Sequence, residues 1–446
     1  MSKLLRAAVV LVFLFLAGAA WAAPEAVRDL PAGLAIPAAA RPGPSFDVDR
    51  ATDAYLALLT PEQRNLSDRY FEGNYWLLLW NVLYGVAVAV LLLASGASRW
   101  MRDFARRRTR RAWLQAAIYT AFWLVAVFVL SLPLSIYADF WREHAYGLAT
   151  QDFGGWFGDQ IKGLVVGLVV LPWLVALLYT AVRRAGDRWW LWAGGIGFAF
   201  MLFAMMLAPV FVEPLFNHYR PLREGPVREA VLSLARANQV PTDNVVEFDA
   251  SRQTTRISAN VSGFLGTSRV ALNDNLIEKT SLPEIKAVMG HEMGHYVLNH
   301  AMRLGIYLGL VLLLAFFVVH KALDRALARW GGRFGLEGRA DPAALPLAVA
   351  IFSLFFLLAT PLTNSIVRQA ETEADAFGLD AAQEPNGFAM AAMRLSTYRK
   401  LRPGALEEVL FYDHPSGYQR VRRSMIWLKE HPGNATANAP PANPPA

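Results

Sequence analysis

Apolar and polar positions separate into long blocks along this chain. Six apolar runs, roughly 76–96, 113–135, 162–182, 189–212, 302–320 and 344–363, each approach the ~20 residues that a helix needs to cross a hydrocarbon core. Polar, motif-bearing sequence fills 213–301 and 364–432. The pattern predicts six membrane helices, four before the first polar block and two between the blocks. A soluble core with this many charge-poor runs would be unusual.

The N-terminus has a pattern of its own. Lys3 and Arg6 precede an apolar stretch from Ala7 to about Ala19, and Ala20-Trp21-Ala22 offers small residues for a cleavage site. Residues 1–22 therefore read as a signal peptide, the rival being a retained first membrane helix. An extracytoplasmic N-terminal segment, 23–75, follows; it is Pro/Ala-rich at first and polar near "TPEQRNLSDRYF". Four membrane helices are expected in 76–212, the first part of a polar, motif-bearing domain in 213–301, two membrane helices in 302–363 and the second part of that domain in 364–432. A low-complexity tail at 433–446 is expected to be disordered.

Composition agrees with this partition. Hydrophobic residues make up 55% of the 446 positions and charged residues 18%, against about 25% charge in an ordinary soluble domain. There is no cysteine, which excludes disulfides and thiolate chemistry. Any metal must be held by His, Asp or Glu. The formal charge of +7 is not a nucleic-acid signature, because the Arg residues sit in short loops between apolar runs. Loop 97–112 carries seven Arg and loop 183–188 three; loop 321–343 carries Lys321, Arg325, Arg329, Arg333 and Arg339. The alternating loop 136–161 has Arg142 alone against Asp139, Glu143, Asp152 and Asp159. By the positive-inside rule the basic loops are cytoplasmic. Both polar blocks then lie on the opposite side, the periplasm of a bacterial inner membrane, where they can build one site.

The chemistry concentrates in "AVMGHEMGHYVLNH", residues 287–300. Positions i and i+4 share a helix face, so His291 and His295 can grip one ion on a helix starting near Pro283, with Glu292 at its open side. Two imidazoles, a third ligand and a water make a catalytic zinc site. The metal acidifies the water and a carboxylate takes its proton. His300 lies about 140° round the helix from His295 and cannot easily share the ion; a capping or interfacial role is expected. In "NSIVRQAETEADAFGLDAA" (364–382) Glu371 and Asp375 share a face, while Glu373 is turned about 200° from Glu371. Glu371 is the candidate third ligand and Asp375 a group that receives a ligand histidine's other N–H. Gly378 reads as the helix stop. "RISANVSGF" alternates as a strand and "GTS" supplies a turn.

Together "GHEMGHYVLNH" and "RQAETEADAFG" resemble the integral-membrane zinc endopeptidases of the CAAX prenyl protease type 1 family, which are gluzincins. Further similar segments are "SLPLSIYADFWREHAYGLATQDFGGWFGDQIK" (131–162), "PLFNHYRPLREGPVREAVLSLA" (214–235), "ISANVSGFLGTSRVALNDNLI" (257–277) and "DHPSGYQRV" (413–421); the likeness spans about 65–430. The resemblance implies a mainly α fold, a polytopic membrane helical barrel around a large chamber. It also implies a zincin-like α+β catalytic domain split by two membrane helices. It implies one Zn²⁺ per chain on His291, His295 and Glu371, Glu292 as general base and acid, and Asp375 behind a ligand. It places His414 and Arg420 near the oxyanion and the ligand helix. Asn260, Val261, Ser262 and Gly263 would pair with an extended peptide, since main-chain hydrogen bonds give sequence-tolerant binding. Val261 stands where the family usually has Ala.

The expected partners are a peptide or protein substrate, lipidated or membrane-associated, and the bilayer, with no nucleic acid. The expected activity is that of a zinc-dependent endopeptidase. Quality-control proteolysis of misfolded envelope proteins keeps the chemistry and changes the substrate. An inactive scaffold or transporter on the same fold would predict decay of the site, yet Glu292 and all three ligands are present.

Overall fold

The computed structural model describes residues 29–262 and 269–432. The expected signal peptide, Gly263, the "GTS" turn and the C-terminal tail lie outside them.

A short helix α1 (Val48–Leu56) leads into α2 (Pro61–Ala94). Thr60 and Gln63 form a reciprocal cap there, and Pro61 opens the helix with its preset φ. Next come α3 (Ala97–Arg108), α4 (Ala112–Ser135), α5 (Phe153–Arg184) and α6 (Trp189–Leu207). Helix α4 continues through a π-helical turn, Ile136–Trp141, to Ala145; α6 ends in another, Ala208–Val212. The first polar block supplies β1 (Tyr219–Pro221), α7 (Pro226–Ala237), β2 (Asn244–Phe248), β3 (Ala259–Ser262), β4 (Arg269–Asn273), α8 (Asp274–Lys279) and α9 (Leu282–Val297). The remainder is α10 (His300–Phe334), α11 (Leu345–Ala382), α12 (Pro385–Leu395), α13 (Ala405–Phe411) and α14 (Gly417–Glu430).

Among the described residues, six spans are long and apolar enough to cross a membrane: Pro61–Ala94, Ala112–Ala145, Phe153–Arg184, Gly186–Leu215, His300–Phe334 and Pro342–Ala382. Their helices close a ring, each packing on the next in the order α2, α4, α5, α6, α10, α11 and back to α2. Val169, Trp173, Phe203 and Leu310 are exposed on its surface, and Leu358 is 82% exposed. Such a surface is at ease in hydrocarbon and not in water. The chain is thus a polytopic membrane helical barrel, mainly α, carrying a small α+β domain that α10 and α11 split in sequence.

That domain sits at one end of the ring. Its four strands run in the order β1-β2-β4-β3, with β2 and β4 parallel and the outer pairs antiparallel. Val245, Val270 and Leu272 of the sheet, with Leu276 of α8, pack against Ile285, Met289 and Met293 of α9. A second core joins Leu30, Tyr55 and Leu59 to Met390 and Met393 of α12 and Val421 and Met425 of α14. Residues 29–59 therefore pack on the C-terminal block, which puts both on the same side of the ring.

Candidate metal centre

Helix α9 is anchored at its first turn. Glu284 accepts from the Ser281 N–H at 2.8 Å and its hydroxyl at 2.7 Å, and it is fully buried against Arg394 Nε at 2.5 Å. Arg394 also donates to the carbonyls of Leu30, Pro31 and Gly33. One buried guanidinium thus ties the start of the ligand helix to α12 and the N-terminal segment.

Glycines decide how closely α9 meets α11. A Cβ added at Gly290 would lie 2.9 Å from the Gly378 carbonyl oxygen, and one at Gly378 would lie 2.7 Å from the His291 backbone nitrogen. At Gly294 it would meet Phe377 and Ala374 at 3.1 and 3.2 Å. The two helices touch backbone to backbone. Gly378, expected to end its helix, instead lies inside one that runs on to Ala382. The residue is small because the ligand helix crosses there.

This crossing brings the distant carboxylate to the histidine pair. His291 Nε2 and His295 Nε2 are 3.2 Å apart. Glu371 Oε2 is 3.2 Å from the first and Oε1 is 3.4 Å from the second. The three residues offer ligand atoms all within 4.8 Å of one another. Glu371 Oε2 is buried without a hydrogen bond, although His414 Nε2 also lies 3.3 Å away. Lone pairs on two imidazoles and a buried carboxylate converge on one point, which is the arrangement a divalent cation satisfies.

Asp375, fully buried, accepts from His291 Nδ1 at 2.8 Å, which turns Nε2 toward the cluster. Arg420 forks onto the same carboxylate, Nε to Oδ2 at 3.0 Å and Nη2 to Oδ1 at 2.5 Å. The resemblance put Arg420 near both the oxyanion and the ligand helix; its guanidinium is engaged on the ligand side, 3.4 Å from His291 Nδ1. His414 is held by Asp413 at 2.8 Å from Nδ1, with Nε2 toward Glu371.

Glu292 makes no hydrogen bond or ion pair among the described residues and lines a cleft of about 200 Å³ with His291, His414 and Arg420. Burial, offset by the neighbouring His291 imidazole and reinforced by Glu371, pushes its carboxyl up to about 7. The other wall is Ile257, Ser258 and Ala259 at the entry to β3. Asn260, Val261 and Ser262 lie further along β3, which pairs with β4 on one side and packs on α9; the Asn260 Oδ1 is buried without a hydrogen bond. Ile257, Ser258, Leu395 and Arg399 also border a second cavity of about 560 Å³ that reaches Tyr70 and Asn74 of α2.

The helix-wheel argument for His300 fails because α9 ends at Val297 and Asn299 adopts a left-handed conformation (φ 55°). The chain reverses there and His300 returns to 3.0 Å from His295 Nδ1. Nothing local in the sequence marks Arg394, and Glu284 shows only as part of a capping pattern, Ser281-x-x-Glu284. Ile257–Ala259 read as the start of a strand, and their place on the cleft wall follows from the tertiary fold.

The chain matches two family models in succession, "CAAX prenyl protease N-terminal, five membrane helices" over residues 50–218 and "Peptidase family M48" over 221–427. It is 27% identical over 370 residues to an uncharacterized metalloprotease of Bacillus subtilis, covering 82% of this chain and 87% of that one. It is 31% identical over 181 residues to a CAAX prenyl protease 1 homolog of Oryza sativa, but this spans 40% of the chain and 43% of the relative. The crystal structure of S. mikatae Ste24p superposes with a TM-score of 0.67 at 20% identity, covering 85% of this chain and 94% of that one. The barrel and split α+β domain are therefore a shared fold. The site and both halves of the sequence agree: this chain belongs to peptidase family M48 and is an integral-membrane metalloprotease related to the CAAX prenyl proteases.

Proposed function

We propose that the protein is a zinc-dependent endopeptidase that cuts extended peptide segments laid along β3 inside or beside the helix barrel. The observation that carries this is the convergence of His291, His295 and Glu371 within 4.8 Å, beside a cleft that His291 and Glu292 line together. Zinc bound there supplies a Lewis acid that acidifies water and polarises the scissile carbonyl.

The chain's own groups do the rest. Backbone groups of β3, with Asn260, Val261 and Ser262, hold the substrate main chain as an added strand, so side-chain sequence matters little. Glu292 accepts the proton of the attacking water and then delivers it to the departing amine nitrogen. His414 donates to the carbonyl oxygen as negative charge gathers on it. Asp375, clamped by Arg420, keeps His291 oriented. The cleft's continuation toward α2 suits a substrate that arrives from the membrane. The charge of the basic loops supports a catalytic side opposite the cytoplasm, away from prenylated cytosolic proteins, and favours membrane or secreted proteins of a bacterial envelope.

Glu292→Gln tests the mechanism directly. Zinc content stays and cleavage of a peptide reporter collapses; undiminished cleavage would refute the assignment. Comparing a farnesylated peptide with its unlipidated twin tests the substrate class: similar rates are expected, and a strong lipid preference would restore the prenyl-processing reading. Reporter fusions after residues 112 and 240 test the topology. Cytoplasmic activity at 112 and periplasmic activity at 240 are expected, and the reverse pattern sinks it.

A further inference from the structure

The two ligand histidines are supported differently. Behind His291 stands a carboxylate. Behind His295 stands another imidazole, and the chain of contacts does not stop there. His295 Nδ1 is 3.0 Å from His300 Nδ1, His300 Nε2 is 3.2 Å from Glu373 Oε2, and Glu373 is gripped by Arg303 at 2.6 Å and by Gln369 Nε2 at 2.9 Å. Resting on the assignment of His291, His295 and Glu371 as ligands, we propose that His300, Glu373 and Arg303 form a relay that fixes the tautomer and ring orientation of His295. They are positioning residues for the cation, independent of the Asp375–Arg420 pair.

The proton count admits one arrangement. His295 Nε2 faces His291 Nε2 and Glu371, so its lone pair must point to the cation and its proton must sit on Nδ1. That N–H donates to His300 Nδ1, which must then be the acceptor. His300 therefore carries its own proton on Nε2 and donates it to Glu373. Each ring nitrogen in the series has one partner, and each ring can then hold only one tautomer. His300 is 1% exposed; without it the His295 Nδ1–H loses its protein acceptor. The geometry also explains a puzzle of spacing. Glu373 points away from Glu371 around α11, yet it serves the same centre, because α10 packs on α11 and the Asn299 reversal returns His300 to His295. Alternate residues of one helix thus act as ligand (Glu371) and as the carboxylate ends of both supports (Glu373 and Asp375).

The test measures zinc retained by the full-length protein in detergent against increasing chelator, with the unfolding temperature of each metal-free variant as a control. His300→Phe keeps the ring's bulk and removes the acceptor; retention should weaken about 10- to 100-fold. His300→Asn puts an amide oxygen where Nδ1 was and should recover most of it. Glu373→Gln, at a partly exposed position, should cost about tenfold. With cobalt in place of zinc, the visible ligand-field bands should shift in His300→Phe and return in His300→Asn, a signature that packing alone would not produce. Wild-type retention in His300→Phe overturns the relay, as does an Asn variant that is folded but loses metal as fully as Phe. If the Phe variant does not fold, Glu373→Gln decides, and wild-type retention there overturns the proposal. A wild-type protein that binds no zinc would instead refute the ligand assignment itself.

Discussion

Gly378→Ala places a single methyl group where α11 crosses the ligand helix, backbone against backbone. The added Cβ would lie 2.7 Å from the His291 nitrogen, 2.9 Å from its Cα and 3.1 Å from the Gly290 carbonyl carbon. All three are backbone atoms, so no rotamer can yield. Restoring an ordinary 3.4 Å contact from 2.7 Å requires the helices to part by about 0.7 Å, given that packed interiors yield little. Overpacking of this kind costs about 1–3 kcal/mol. The larger effect falls on the metal centre: His291 rides on α9 and Glu371 on α11, while ligand distances tolerate only about 0.2 Å. A misplacement approaching 1 Å costs about 100-fold in rate. We therefore expect kcat/KM on a peptide reporter to fall about 100-fold, with weaker zinc retention. Gly195→Ala is the control, since nothing lies within 4 Å of its added Cβ and alanine is the better helix former; it should be neutral or slightly stabilising. A Gly378→Ala enzyme with wild-type activity and zinc affinity would show that the helix crossing does not set the ligand geometry.

Other predictions follow from the same contacts. Asp375→Asn leaves Arg420 buried without its charge partner and His291 with a weaker acceptor; we expect about 10- to 100-fold weaker zinc binding, read by chelator competition. Arg394→Ala strands the buried Glu284 at the head of α9 and should cost about 3–5 kcal/mol in chemical unfolding; a change below 1 kcal/mol would contradict the anchor described above. For pH, the sign follows from the proposed base: Glu292 would accept the proton as the carboxylate, and burial pushes its carboxyl up to about 7. Activity should be lost as pH falls through that region, and a bound cation would move the midpoint lower by favouring the charged form. A kcat/KM profile whose acid limb is centred above about 8 would exclude Glu292 as its source.

Much of this protein is written in local pattern. The apolar runs foretell all six spans, because a helix in hydrocarbon must satisfy its backbone within itself and so needs a contiguous stretch. The spacing of His291 and His295, and of Glu371 and Asp375, foretells shared faces, because helical periodicity is a property of a few neighbouring residues. What tertiary structure alone decided depends on contacts between segments far apart in sequence. Gly378 reads locally as a stop, yet it is where α11 meets the backbone of α9. His300 reads as lying off the metal face, yet one left-handed residue at Asn299 carries it back. The closing of the helix ring, and the seating of residues 29–59 on the C-terminal block, likewise follow from which surfaces fit together, and no window along the chain contains that information.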